Sequence, residues 1–237
     1  MSKKKSLMFS FINMTKNPLG GKCPYGCVYC WSQSEKGLVN RYGMKKYNGE
    51  ASLYPSVLKE RFGKGDFVFV VDMRDPCSPD VTDGMLLTIL DWIEKSIEAR
   101  FLLLTKNPKR YLEIIKRGYK FPPNVVLGAT IESNRNYPDI SKAPSQVDRL
   151  CWMLKLSKIK SVKNDLFIAV EPILEFDSQA FSSILHQINP WMVAIGYDNY
   201  NWHLSEPNLD TVLKFIEVLE DFTEVEIKSL RPAWWAK

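Results

Sequence analysis

An α/β architecture, specifically a partial (β/α)6 TIM-like barrel, is the fold class that this sequence of 237 residues predicts. Two observations carry it. Six short apolar runs, each suited to a buried strand, alternate with segments of helical spacing. The residues just after the second and later runs are polar or ionisable, and a barrel builds its site in this way, from several strand ends at once. An open doubly wound sheet is the competing solution, but it gathers such residues at one switch point.

The runs are Leu7 to Ile12, Phe67 to Val71, Phe101 to Leu104, Val125 to Ala129, Leu166 to Val170 and Trp191 to Ile195, with Val225 to Ile227 as a candidate edge strand. Met85, Leu86, Ile89, Leu90, Ile93 and Ile97 form one helical stripe, and Phe181, Ile184, Leu185 and Ile188 a second. Leu209, Val212, Leu213, Ile216 and Leu219 predict a last long helix, which with the tail occupies 205–237. Asn107 and Pro108 suit the N-cap and first position of a short helix, Lys109 to Arg117, that Gly118 stops. Asp177 suits the cap of the helix that Pro190 ends. Strands alternating with helices imply parallel pairing through right-handed crossovers.

With 45% hydrophobic and 25% charged residues the composition is that of a folded chain, expected as one domain over 1–237. Five cysteines without an export signal place it in the cytoplasm, and no apolar run approaches the roughly 18 residues of a membrane span. The formal charge of +5 is unevenly distributed. Residues 1–64 hold 12 Lys/Arg against 3 Asp/Glu, or +9, and residues 65–237 hold 20 against 24, or −4. Basic character confined to the first quarter suits a phosphate backbone, or else a solvated MSKKK tail and ordinary surface lysines.

The first strand breaks the rhythm, because about 60 residues separate its start from that of the second, against about 24 to 41 later. Inside that insertion, at 15–50, lies Cys23-Pro24-Tyr25-Gly26-Cys27-Val28-Tyr29-Cys30, preceded by Gly20-Gly21. Three thiols at C-x3-C-x2-C spacing on a glycine-rich loop admit three readings. A structural zinc site needs a fourth ligand from Cys77, Cys151, His186 or His203. A trio of buried core cysteines fits poorly with loop-type neighbours. A four-iron, four-sulfur cluster on three thiolates keeps one iron open, as a catalytic site does.

This motif, with Tyr29 before the last cysteine and after the first strand of a βα barrel, resembles the radical S-adenosylmethionine superfamily. Asn17-Pro18, Asp72 through Asp80, Leu104 to Pro108, Leu127 to Ser133 and Ala169 to Leu174 follow in the order seen in the phage-associated three-Cys-motif family, itself similar to the spore photoproduct lyase-like branch. The resemblance implies that Cys23, Cys27 and Cys30 bind a [4Fe–4S] cluster. It also implies that S-adenosylmethionine chelates the open iron and is cleaved reductively to a 5′-deoxyadenosyl radical that abstracts hydrogen from a substrate. The resemblance further places Tyr29 in the cofactor site, puts Asp72 to Asp75 where the usual strand-two motif stands, with Asp72 and Asp75 as candidate cofactor contacts, and aims Lys106 at the cofactor carboxylate, a solvated loop lysine being the alternative. On the same resemblance Thr130, Glu132 and Ser133 are expected at the ribose and Glu171 at ribose or substrate, with structural pairing to a neighbouring Arg or Lys at the rim as the alternative for Glu132 and Glu171. Cys77, just past the second strand, is the candidate hydrogen-atom donor. Cys151 is expected as an inert core thiol, His186 as exposed, His203 as a substrate-contact candidate and Pro232 to Trp235 as a docked tail. The implied partners are a flavodoxin- or ferredoxin-like electron donor, a genetically linked three-Cys-motif protein and a nucleic acid or nucleotide, with no membrane. A non-catalytic iron–sulfur or zinc nucleic-acid-binding module is the alternative.

Overall fold

The computed structural model of the chain describes residues 8–236. A short strand β1 (Met14–Lys16) opens a parallel sheet. It is followed by β2 (Leu19–Gly20), α1 (Leu38–Tyr42) and β3 (Ser52–Leu53), where β2 and β3 pair antiparallel as a small ribbon inside the insertion. Regular alternation then begins: β4 (Phe67–Val70), α2 (Asp83–Glu94), β5 (Arg100–Thr105), α3 (Lys109–Lys116), β6 (Val125–Thr130), α4 (Gln146–Ser157), β7 (Leu166–Val170), α5 (Ser178–Ile188), β8 (Met192–Ile195), α6 (Leu209–Glu220) and β9 (Glu224–Ile227). The main sheet has seven strands in the order β1-β4-β5-β6-β7-β8-β9, and each neighbouring pair is parallel. The curled, unclosed sheet is the partial barrel, with β9 as a seventh strand on its edge.

Alternate side chains of each strand fill two different spaces. Val68, Val70, Phe101, Leu103, Leu127, Ile168 and Val193 face the helices and join the larger core. Phe67, Phe69, Leu102, Val126, Phe167, Ala169, Met192 and Ala194 face the concave side. Both faces are dry, so the strands appear in the sequence as unbroken apolar runs. Gly128 belongs to the concave register, where an added Cβ would lie 3.0 Å from Leu104 and 3.2 Å from Phe167. Glycine is what lets those two side chains close over the strand.

The first expected strand is corrected. Leu7 lies outside the described residues, and residues 8–13 form no strand. Phe9 and Phe11 instead enter the concave face, with ring centroids 5.0 Å and 5.6 Å from Phe167, and Phe11 also meets Phe67 at 4.9 Å and Trp191 at 5.3 Å. The Ser10 N–H donates to Glu226 on β9 at 2.5 Å, and the Asn13 N–H to the Phe67 carbonyl at 3.1 Å. The segment thus spans the gap between the sheet edges β1 and β9. An apolar run states that burial is required, and a plug satisfies that as well as a strand does.

Three smaller expectations also change. Pro108, without a side-chain cap bond, is the N-cap of α3, while the Asn107 amide donates to the Cys77 carbonyl at 2.9 Å. Helix α2 stops at Glu94, leaving Ile97 exposed. Cys151 is exposed, because the buried stripe of α4 runs through Gln146, Arg149, Leu150, Met153 and Leu156. The Asp177 side chain does accept from the Ala180 N–H at 2.9 Å, and Gly118 is left-handed at φ +90°. His186 is exposed. The tail docks on the loop before α6, with indole N–H groups of Trp234 and Trp235 donating to the carbonyls of Leu204 and Glu206 at 2.7 and 2.8 Å. Among the described residues, no helix is long and apolar enough to cross a membrane.

Phe9 is 2% exposed within the aromatic plug, and Phe9→Ala is expected to lower the free energy of unfolding by about 3–5 kcal/mol. Urea denaturation measures this, and a loss below about 1 kcal/mol would assign the plug no structural weight.

Candidate active site

The cysteine segment leaves the sheet through Gly20 and Gly21. A Cβ at Gly20 would fall 2.4 Å from the Tyr54 ring and 2.6 Å from the Lys46 carbonyl. Gly21 combines φ +98° with a Cβ position 2.3 Å from the Glu50 carbonyl, so only glycine passes here. Beyond it, Lys22, Pro24, Gly26 and Val28 face solvent, Tyr25 and Tyr29 are buried, and Cys23, Cys27 and Cys30 stand half-buried between them. Backbone bonds anchor the segment to the loop before α4: the Val28 N–H donates to the Ile140 carbonyl at 2.9 Å and the Lys142 N–H to that of Tyr25 at 2.8 Å. Gln33 ties the two ends of the motif, accepting the Cys23 N–H at 2.7 Å while its own N–H donates to the Cys30 sulfur at 3.2 Å. The Cys27 sulfur lies 3.1 Å from the Ser141 hydroxyl.

Opposite the cysteines stands the loop after β4. Val71 has φ +59°, a strained conformation for a β-branched residue, and the chain turns there into Asp72. The Asp72 carboxylate accepts from the Asn17 amide at 2.5 Å. Asp75 is buried and accepts three bonds: from the Cys77 N–H at 2.8 Å, the Thr105 hydroxyl at 2.7 Å and the Lys106 N–H at 2.6 Å. Asp75 thereby sets the backbone from which Lys106 extends. Arg74 donates to the Gly20 carbonyl at 2.7 Å and to Asp80 at 2.8 Å, locking this loop to the entry of the cysteine segment.

At the end of β6, Glu132 is 0% exposed. It accepts from Arg149 at 2.9 and 3.1 Å and from the Tyr29 hydroxyl, and the Lys106 ammonium lies 3.7 Å away. Lys106 also sits 5.3 Å from the centroid of the Tyr29 ring. Burial pushes the Glu132 carboxyl up, but Arg149, Lys106 and the Tyr29 hydroxyl together hold it below the usual range. Burial raises Asp72, Asp75 and Glu171, and their partners only partly offset it. Burial and then the Asp75 charge push the Cys23 thiol up to about 12.

These groups surround a cavity of about 960 Å³ at the C-terminal ends of the strands. Cys23, Cys27, Cys30, Tyr29, Asp72, Asp75, Lys106, Thr130 and Glu171 all line it. Glu132, Ser133 and Cys77 do not: Glu132 lies behind Tyr29 and Lys106, the Ser133 hydroxyl donates to the Glu175 carbonyl at 2.6 Å, and Cys77 is a buried thiol in the helix-side core. His203 stacks on Trp234 at 4.7 Å and lines a separate cavity of about 360 Å³. Arg149 and Gln33 join the site without having been expected there, and Arg74, expected at this strand end, serves as the lock between the two loops. Arg149 had a signal, since it is a charged residue on the apolar stripe of a helix.

Among the described residues, no three His, Cys, Asp or Glu side chains converge tightly enough to hold one metal ion. Each thiolate of a four-iron cluster meets a different iron, so three thiols spread along one wall suit it. Two further observations fit a group bound here: the buried Tyr25 hydroxyl on this wall has no hydrogen-bond partner, and burial raises the Cys23 and Cys27 thiols, at Cys27 with only part of the rise offset by Lys106.

Fold and site together define an α/β half-barrel with a three-thiol cavity at its strand ends. The chain belongs to the family described as "Protein of unknown function (DUF5131)", whose match spans residues 8–176. No curated protein matches the sequence. Among solved structures, the fold is similar to a spore photoproduct lyase double mutant with bound AdoMet and dinucleoside spore photoproduct, at TM-score 0.60 and 12% identity, covering 96% of this chain and 81% of that one. Two single mutants of spore photoproduct lyase match at TM-score 0.57, with 14% and 12% identity, 94% and 90% of this chain and 64% and 75% of theirs.

A depressed carboxyl stabilises the fold fully above its unfolded pKa and loses that contribution as pH falls through the folded value. Replacing Glu132 and Arg149 together by methionine removes this acid-sensitive contribution. The double variant is expected to lose less melting temperature than the wild type between about pH 5 and about pH 3, by calorimetry. Parallel declines would show that Glu132 is not held low.

Proposed function

We propose that the chain is a radical S-adenosylmethionine enzyme. The observation that carries this is the shared wall. Three thiols of a C-x3-C-x2-C segment line one cavity at the C-terminal strand ends together with Lys106, Thr130 and Glu171, each from a different strand end. The fold likeness to a spore photoproduct lyase structure with bound AdoMet supports the same reading. A four-iron cluster held by Cys23, Cys27 and Cys30 would supply the one electron for reductive cleavage of S-adenosylmethionine to methionine and a 5′-deoxyadenosyl radical able to abstract hydrogen from a substrate.

The chain's own part is to bind, orient and exclude. Cys23, Cys27 and Cys30 would hold the cluster as thiolates, and iron ligation would offset the burial that raises the free Cys23 and Cys27 thiols. Lys106 offers an ammonium to a carboxylate, and its backbone is set by Asp75. Thr130 and Glu171 face the cavity as hydroxyl and carboxyl partners for ribose or substrate. The concave aromatic plug closes the cavity from below against water.

A nucleic acid or nucleotide is the proposed substrate, supported by the +9 charge of residues 1–64 around the cysteine segment. A small electron carrier and a three-Cys-motif partner protein complete the proposal, both in the cytoplasm.

Anaerobic reconstitution with iron and sulfide, followed by assay for 5′-deoxyadenosine with reductant, tests the reading. Wild type is expected to bind four irons and form the product. Cys23→Ala, Cys27→Ala and Cys30→Ala are each expected to lower iron content and abolish product. Four bound irons without cofactor cleavage would reduce the protein to an iron–sulfur binding module, and a single bound zinc would remove the cluster.

A further inference from the structure

Two charges in the interior have no exposed surface and no part in lining the cavity. The Glu132 and Arg149 side chains are 0% and 1% exposed, and they meet at 2.9 Å. Arg149 reaches in from α4, donating to the Pro144 carbonyl at 2.7 Å and the Thr130 carbonyl at 2.9 Å. Glu132 receives the Tyr29 hydroxyl from the cysteine segment and lies 3.7 Å from the Lys106 ammonium at the end of β5. One ion pair thus ties together four separate stretches of chain, of which Tyr29, Lys106 and Thr130 reach the cavity.

Stability alone does not account for such a pair. Desolvating two charges costs several kcal/mol per ion, and well-packed apolar residues of similar volume often do as well or better. What apolar residues cannot supply is direction: a carboxylate accepts along fixed lone pairs, and a guanidinium donates along a rigid fork. We propose that Glu132 and Arg149 are positioning residues, a buried clamp that orients the Tyr29 phenol and the Lys106 ammonium at the cavity and itself touches no ligand. The clamp replaces the expected ribose contact of Glu132. Its consequence for cofactor binding rests on the radical enzyme reading, whereas the clamp itself does not.

Single substitutions strand one buried charge, so the test removes both with Glu132→Met/Arg149→Met, and uses Tyr29→Phe as a second, milder variant. Hydrogen exchange is measured first on the metal-free chain. Amides of 23–31 and 104–107 are expected to exchange at least about tenfold faster in the double variant, and those of 23–31 at least about threefold faster in Tyr29→Phe, with β7 and α5 unchanged. Unchanged rates at 23–31, or a uniform rise across the chain, would overturn the clamp.

Equilibrium dialysis of S-adenosylmethionine against the iron-loaded protein follows. The double variant is expected to bind about 10- to 100-fold more weakly at unaltered iron content. Adding Lys106→Met to it is expected to cost less than about threefold, although Lys106→Met alone costs about as much as the double variant. Equal factors in both backgrounds would show Lys106 acting independently and overturn the clamp. An iron-loaded wild type that binds no S-adenosylmethionine sinks the enzyme reading, and the exchange result still decides the clamp.

Discussion

A carboxylate with no access to water must be matched where it stands, and at Glu132 that requirement draws in Arg149, Tyr29 and Lys106. The pairing crosses the molecule. Arg149 lies on a helix outside the sheet, Tyr29 in the cysteine segment, and Lys106 on the neighbouring strand end. Because an unmatched buried charge is so costly, this group is satisfied in one arrangement and badly in most others, which gives the mouth of the half-barrel a defined geometry. Asp75 does the same on the other side, with three donors converging on it from two strand ends.

Around these points the sheet supplies the frame. A fully closed barrel has no lateral opening, whereas this sheet leaves β1 and β9 apart and fills the lower gap with Phe9 and Phe11. The plug does two jobs with one set of rings: it completes the apolar core on the concave face and it forms the floor of the cavity above. Most of the ionisable groups stand in the upper part, where the parallel strands end, with Glu226 of β9 beside the plug as an exception.

The strands from Phe67 onward were legible because both of their faces are buried, and such strands leave an unbroken apolar run in the sequence. The first strand was misread for the same reason. Phe9 and Ile12 are as buried as strand residues, but residues 8–12 pack as a plug, while the real β1, Met14–Lys16, is three residues at an edge and nearly silent. Arg149 was passed over because a charged residue inside a helix is usually on its wet side. Cys151 was misassigned one position along the same helix: α4 turns Leu150 inward and Cys151 out.

The sequence by itself determined the class of fold and the three-thiol motif, since periodicity and spacing are local properties that survive without knowledge of contacts. It also named most of the residues on the cavity wall, because strand ends can be counted from apolar runs. Only the tertiary structure decided which of those residues face the cavity and which stand behind it. Glu132, Ser133 and Cys77 lie at strand ends like the others, yet they turn away into the interior. The distinction depends on partners many residues away, Arg149 and Glu175 among them, and a side chain's direction is set by the partner it must satisfy.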